Sequence, residues 1–476
     1  MKPKPNEYEV IILGSGLGGL IAGALLSKQN HSVLLLLEKG FKTYFEKGGY
    51  RFIPFSSLSE KHVTLDLIQT ISQRVGLSPI RGKRRDQENG RGKKERVAFQ
   101  VILPKSRIDL YEHWFLLKKE LQREFPKEIF EIEKFYEKMT QIKTTLKSAK
   151  VHGSLYLPLP MRLRSLMKTR FDYEGSPFSK EFKKFLQLQL ISHGNFYLDW
   201  CPISFLASHL LKGEIDEWVG LIDLEIFKNQ IVEIFLNSGG RVEEVKKVEK
   251  IEMGWRRGFT LSLEGESSFH SKIFIFNAPL HHLTPLLGER KKKVLKFVRK
   301  IQPSFILIPI FLGIQEKVIP VGMRDLFISI LDLEKPLEGG NLLYGSLSPH
   351  GDEGMAPEGK RAFTVEGFMS LEKWQQGLFD EFREGVFRHL NRLIPFLEDY
   401  LELVDWEWVL EQGWRWSYSN YVFETPFGFN WRDGVVPTRI SKNLYFTGKE
   451  NFPYLGLEGE VWGGLKVGEE ILKRFH

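Results

Sequence analysis

The run Gly14-Ser15-Gly16-Leu17-Gly18-Gly19 puts glycines where a backbone must come close to a phosphate, and an acid, Glu38, stands nineteen residues beyond it. Each glycine has its own task in such a turn. Gly14 permits the tight reversal and Gly16 lets the backbone reach a pyrophosphate. Gly19 lets the following helix pack closely on the preceding strand. The helix start near Leu17 and Gly18 offers unpaired N–H groups and the positive end of a dipole to the phosphates. Glu38 suits the hydroxyls of an adenosine ribose and disfavours a 2′-phosphate, which selects FAD or NAD over NADP. Gly14, Ser15, Gly16, Leu17, Gly18, Gly19, Glu38 and the adjoining Lys39 are the first candidate cofactor-binding residues.

The elements that must hold these residues are legible on either side. Tyr8–Leu13 is a β-rich apolar run, Gly18–Gln29 has helical composition, and Val33–Leu37 is an apolar strand closing on Glu38. Strand, glycine turn, helix, strand and acid form the βαβ dinucleotide pattern. The acid lies one residue later than the commonest spacing, which predicts a bulge within Leu34–Leu37. Val10–Ser27 is an uncharged run of 18 residues, the length of a membrane span. Its glycines weaken a lipid-facing helix, so it reads as a buried strand and helix.

With 476 residues, 42% hydrophobic and 27% charged, the chain has the composition of a globular protein and not of a disordered, collagenous or coiled-coil one. The length suggests roughly two to three domains. Cys201 stands alone, so no intrachain disulfide and no cysteine metal cage is expected, and a reducing, cytoplasmic setting fits. The polar start does not resemble a signal peptide. No histidine has metal-ligand spacing, no metal is expected, and no catalytic set can be assembled from sequence. Formal charge is +8 and 13% of residues are aromatic. No nucleic-acid fold motif accompanies that charge. Arg81–Arg96 reads as a basic surface loop, while Ser154–Phe171 and Arg290–Lys300 interleave cations with apolar residues. Together these stretches suggest peripheral contact with an anionic membrane, on its inner face.

At the other end of the chain, Asn443–Glu450 reads as a strand running into a glycine turn. Gly456, Gly459 and Gly463-Gly464 follow, and Leu465–Phe475 reads as a closing helix. Taken with the N-terminal turn, this resembles the phytoene desaturase, carotenoid isomerase and retinol saturase branch of amine-oxidase-like, FAD-dependent oxidoreductases. Gly239-Gly240-Arg241-Val242 through Val248 resembles the family's adenine-side strand, Lys272–Pro279 its strand returning to the cofactor domain, and Glu424-Thr425-Pro426 the segment before the C-terminal flavin contacts. The family's Gly-Gly-Arg or Gly-Gly-Lys after the ribose acid is missing from Glu38-Lys39-Gly40-Phe41. Gly48-Gly49-Tyr50-Arg51 belongs to the next hairpin.

The resemblance implies FAD as cofactor and an α/β fold: a Rossmann-like FAD-binding domain with a mixed α+β substrate domain inserted, in the glutathione-reductase-type architecture. The first domain is expected to comprise 1–75, 215–289 and 405–476, and the second, substrate-binding and membrane-contacting, 76–214 and 290–404. Val248 is then expected near the adenine, Gly448 and Glu450 near the pyrophosphate and ribityl chain, and Gly456, Leu457 and Gly459 along the isoalloxazine. The implied activity is desaturation or saturation of C–C bonds in an apolar isoprenoid or polyene lipid. Double-bond isomerisation without net redox change, and lipid binding by a catalytically degraded relative, are the alternatives. Helices are expected within Ile108–Ser148, Ser179–Leu211 and Leu371–Leu397, and strands at Pro303–Gly313, Leu326–Leu333 and Arg361–Met369.

Overall fold

A computed structural model describes residues 6–475 except 41–43, 54–61, 77–96, 112, 149–168, 174, 193–195, 198–199, 211–217, 222–223, 255–257, 266, 289–291, 300, 302, 413–414, 416–420 and 425–434. The chain opens with β1 (Glu7–Leu13), α1 (Leu17–Lys28) and β2 (Val33–Glu38). Val10–Leu13 and Val33–Leu36 are buried without alternation, the pattern of parallel strands covered on both faces. The chain returns to this sheet as β3 (Arg241–Val245), β4 (Val248–Met253), β5 (Phe259–Leu263), β6 (Ser268–Phe276) and β7 (Leu444–Phe446). Strand order is β3-β2-β1-β6, with β7 on the end of β6 and the β5-β4 hairpin on its beginning. β1, β2, β3, β6 and β7 run parallel where they pair.

No bulge takes up the extra leucine. β2 pairs with β1 and β3 in continuous register from Val33 to Glu38, so the strand is one residue longer and Glu38 ends it opposite Val245. The last helix, α2 (Leu457–Phe475), starts earlier than the sequence suggests. It lies almost in backbone contact with α1: a Cβ at Gly464 would fall 2.3 Å from the Gly18 carbonyl oxygen. The first and last helices therefore form one layer, which holds the two ends of the chain together.

Among the described residues, the intervening chain forms a nine-stranded mixed sheet. Its spine is the antiparallel pair Pro303–Gln315 and Lys360–Ser370, in register from Phe305 opposite Ser370 to Gln315 opposite Lys360. Leu326–Ile330 and Leu342–Leu347 extend it on the Lys360–Ser370 side. Helix Phe379–Leu393 rests on one face, with Phe382 against Gly367, while Tyr344 Oη on the opposite face donates to Ile191 O of helix Lys180–Ile191. Residues 108–111 depart from the helical expectation. They finish a strand, Arg107–Tyr111, paired with Val97–Ile102, and helices Trp114–Glu124 and Ile129–Ser148 follow it. The expected architecture is the one observed: a Rossmann-like sheet with a mixed α+β region inserted.

Gly48 and Gly49, at φ +61° and +83°, make the two-residue turn of hairpin Phe45–Lys47/Tyr50–Phe52, as read from the sequence. Of the three basic stretches, Arg81–Arg96 and Ser154–Lys168 lie outside the described residues. In Lys292–Val298, Val294 is buried and Phe297 and Val298 pack on the core, so these apolar residues face inward. Among the described residues no helix is long and apolar enough to cross a membrane.

Candidate cofactor site

The glycine turn wraps around one side chain. Gly14 has φ +130°, and a Cβ there would lie 1.8 Å from the Asn277 carbonyl oxygen, so only glycine fits. Cβ atoms at Gly16 and Gly19 would meet the Asn277 amide oxygen at 2.8 and 2.5 Å. Asn277 is the residue after β6, and it is buried. Its Nδ2 donates to Thr447 O at 2.6 Å and to Thr447 Oγ1 at 2.8 Å, and Thr447 is the residue after β7. The ends of β1, β6 and β7 are thereby tied at the carboxyl edge of the sheet, where open α/β sheets bind ligands. Among the described residues, Asn277 Oδ1 is buried with no hydrogen-bond partner. Gly16 caps α1 with no side-chain hydrogen bond, and the first turn of α1 carries no acid. Ser15 is half-buried and Leu17 and Gly18 are buried at this start.

Glu38 sits at the end of β2 with its Oε1 3.8 Å from Arg415 Nη1, and the same guanidinium donates to Lys39 O at 3.0 Å. Lys39 N donates to Val245 O, which ties the end of β2 to the turn before Val248, a buried residue at the start of β4. Glu38, expected to meet a ribose, is thus met by a cation from a distant part of the chain.

The C-terminal turn is built on Asn451. Gly448 N donates to Asn451 Oδ1 at 2.9 Å, and Asn451 Nδ2 donates to Val436 O. Glu450 Oε1 accepts from Leu280 N at 2.7 Å. Burial pushes the Glu450 carboxyl up to about 7, and the charge of Glu460 adds to this. Gly456, at φ +56°, precedes Leu457, the first residue of α2. A Cβ at Gly459 would fall 2.4 Å from Phe452 O, so this glycine lets the first turn of α2 fold onto the preceding turn. The next residue, Glu460, has its Oε1 2.7 Å from the Cβ position of Gly16. One carboxyl from the end of the chain thus overlies the glycine turn at its beginning.

Several residues join the site without having been singled out from sequence. Asn277 and Glu460 were within reach, one ending the strand already read as returning to the cofactor domain and the other directly after Gly459. Arg415 and Tyr421 carried no signal. His281 and His282, ring centroids 4.1 Å apart, follow Asn277 by four and five residues, and His281 meets the Tyr421 ring edge-on at 4.8 Å. Burial lowers His281 to about 4. Burial and the neighbouring imidazole lower His282 to about 3, so both are neutral at pH 7. Burial and the Glu450 charge push the Tyr421 hydroxyl up to about 12. Among the described residues no group of His, Cys, Asp and Glu is arranged for a metal.

An uncapped helix start and an acid at the end of β2 fit the phosphates and ribose of a dinucleotide. The Glu460 carboxyl sits beside them, where a phosphate approaching Gly16 would lie. No protein-family model matches the chain, and no curated protein does. Solved structures do. An oxidoreductase from Methanosarcina mazei superposes with a TM-score of 0.61 at 15% identity, over 97% of this chain and 100% of that one. Putrescine oxidase bound to putrescine gives 0.60 at 15% identity, over 98% and 99%. Cyclohexylamine oxidase from Brevibacterium oxydans gives 0.58 at 14% identity, over 99% and 100%. At these identities the likeness establishes a shared fold along the whole chain.

Proposed function

We propose that this chain is an FAD-dependent oxidoreductase of the amine-oxidase-like superfamily, acting on a C–C bond of an apolar isoprenoid or polyene molecule. One observation carries the reading. The glycine turn 14–19, the uncapped start of α1 and the C-terminal turn 448–459 converge on the ends of β1, β6 and β7. The first turn of α1 and Gly16 would hold the phosphates, Glu38 the ribose, and the Gly448–Glu450 turn with the start of α2 the flavin half. FAD, when bound, supplies hydride acceptance or donation.

The chain's own residues set the conditions for that chemistry. Burial raises Glu450 to about 7, so its carboxyl can take up or release a proton near neutral pH, next to the Leu280 N–H that donates to it. His281 and His282 stay neutral and bring no cation. The start of α2 directs a positive dipole end at its neighbourhood, which favours negative charge there. The aromatic content of the chain supports an apolar substrate, and the net charge of +8 supports delivery from anionic lipid by peripheral contact.

A second reading, oxidation of an amine, is favoured by the likeness to two structures named as amine oxidases. Anaerobic incubation of FAD-loaded protein with polyene lipids and, separately, with primary amines distinguishes them. The first reading expects bleaching of the flavin band and a changed number of double bonds with the polyenes only. Bleaching by amines alone would replace it with the second. Double-bond movement without net bleaching would indicate an isomerase. Flotation with vesicles should show binding that requires anionic lipid.

A further inference from the structure

Outside the cofactor site, a cavity of about 410 Å³ opens beside the tip of the hairpin that joins Val97–Ile102 to Arg107–Tyr111. Its walls also include the exit of strand Leu326–Ile330 and the last turns of helix Phe379–Leu393. Three cations line it, Lys105 and Arg107 from the hairpin and Arg392 from the helix. Among the described residues none of the three has an ion-pair partner. The lining acid, Glu124, is already engaged by Arg123 Nε at 2.7 Å. Ser106, between the two hairpin cations, has a buried Oγ with no hydrogen-bond partner among the described residues. The buried hydroxyl is costly until a polar group joins it, and the three cations beside it, Lys105 and Arg392 exposed and Arg107 half-buried, make a negative group the fitting partner.

The floor is rigid and uncharged. His389 Nδ1 lies 2.8 Å from Gly340 O and its Nε2 lies 2.8 Å from Ser329 Oγ. With Nδ1 protonated toward the carbonyl, Nε2 accepts the serine proton, so ring and hydroxyl are both satisfied. Burial lowers the imidazole to about 4, so it stays neutral at physiological pH. Ile330 and Leu393 supply apolar wall. The site thus offers a cationic rim above a neutral, partly apolar base.

We propose that this cavity binds a small organic anion, with its carboxylate or phosphate group held by Lys105, Arg107, Arg392 and the Ser106 hydroxyl and its apolar body against Ile330 and Leu393. The site shares no residue with the cofactor cradle, so it stands whether or not FAD is the cofactor. Titration calorimetry of the full chain with inorganic phosphate and, separately, with hexanoate tests it. One saturable site is expected, weakened about tenfold by Arg392→Gln and again by Arg107→Gln, the scale of one charge-assisted hydrogen bond. Tighter binding of phosphate would identify the head group as a phosphate, and tighter binding of hexanoate as a carboxylate with an apolar tail. Ser106→Ala, which leaves every charge in place, should weaken binding severalfold and separates the built site from general cation attraction. Absence of saturable binding for both probes would overturn the proposal. So would binding that survives Arg392→Gln and Arg107→Gln unchanged, since the anion would then be held elsewhere, for instance at the glycine turn.

Discussion

The two glycine turns that converge at the cofactor site solve opposite electrostatic problems. The turn at 14–19 contains no charge and ends in a helix start with no side-chain cap, so its N–H groups are short of acceptors. The turn at 448–460 carries two buried carboxyls, Glu450 and Glu460, each raising the cost of the other's charge. Glu460 reaches across to the first turn and partly meets its need for an anion. A phosphate arriving at Gly16 would therefore have to displace that carboxyl group. Close backbone approach is a steric requirement that glycine alone satisfies. Affinity for an anion is set by charges that can titrate.

The largest effect should come from the steric side. Gly14→Ala combines a forbidden φ with overlap onto the Asn277 carbonyl, and should cost about 4 kcal/mol, read as a fall in denaturant midpoint. Tolerance of alanine there would remove the claim that the turn is steric in origin.

The charged side should show itself in pH dependence. Glu450 is raised from its ordinary 4.5 to about 7 in the folded protein, faced by Glu460, Lys449 and Tyr421. Between those values the native state binds more protons than the unfolded state. Unfolding free energy should then fall as pH rises from about 4.5 to 7, by roughly 3 kcal/mol, and level off above. Glu450→Gln should flatten this limb. A limb that persists unchanged in the variant would assign the proton elsewhere.

Glu460→Gln, which removes a carboxyl group whose Oε1 lies 2.7 Å from the Cβ position of Gly16, should tighten FAD binding about tenfold. Fluorescence titration with FAD measures it, and equal or weaker binding would mean that Glu460 assists the phosphates. Arg415→Gln removes one cation from beside Glu38, but the guanidinium is 30% exposed and 3.8 Å away, so FAD affinity should move by no more than about threefold.

Much of this comparison was legible in the sequence, for physical reasons. The βαβ unit shows because a buried parallel strand must be apolar on both faces and a tight turn must be glycine, so Val10–Leu13 and Gly14–Gly19 leave little freedom. The C-terminal turn shows because Gly456 and Gly459 are forced by a positive φ and by close approach to Phe452. The bulge expected in Leu34–Leu37 does not form, since a strand can lengthen by one residue without losing register. Arg415, Tyr421 and His281 enter the site only through tertiary folding. No local spacing marks a residue that meets its partner across hundreds of positions, as Arg415 meets Glu38. Strand Arg107–Tyr111 was hidden by a neighbouring helical pattern, because its alternation is too short to compete.

The most direct test is the visible spectrum and FAD content of the purified chain after incubation with excess FAD, beside Gly16→Leu, whose side chain would occupy the place of Asn277 and Glu460. Flavin absorbance in the native protein, with about one FAD per chain released on heating and retention cut roughly 100-fold in the variant, is the predicted result. A colourless native protein that takes up no FAD, or a variant that retains it in full, would contradict the assignment of the converging turns as an FAD site.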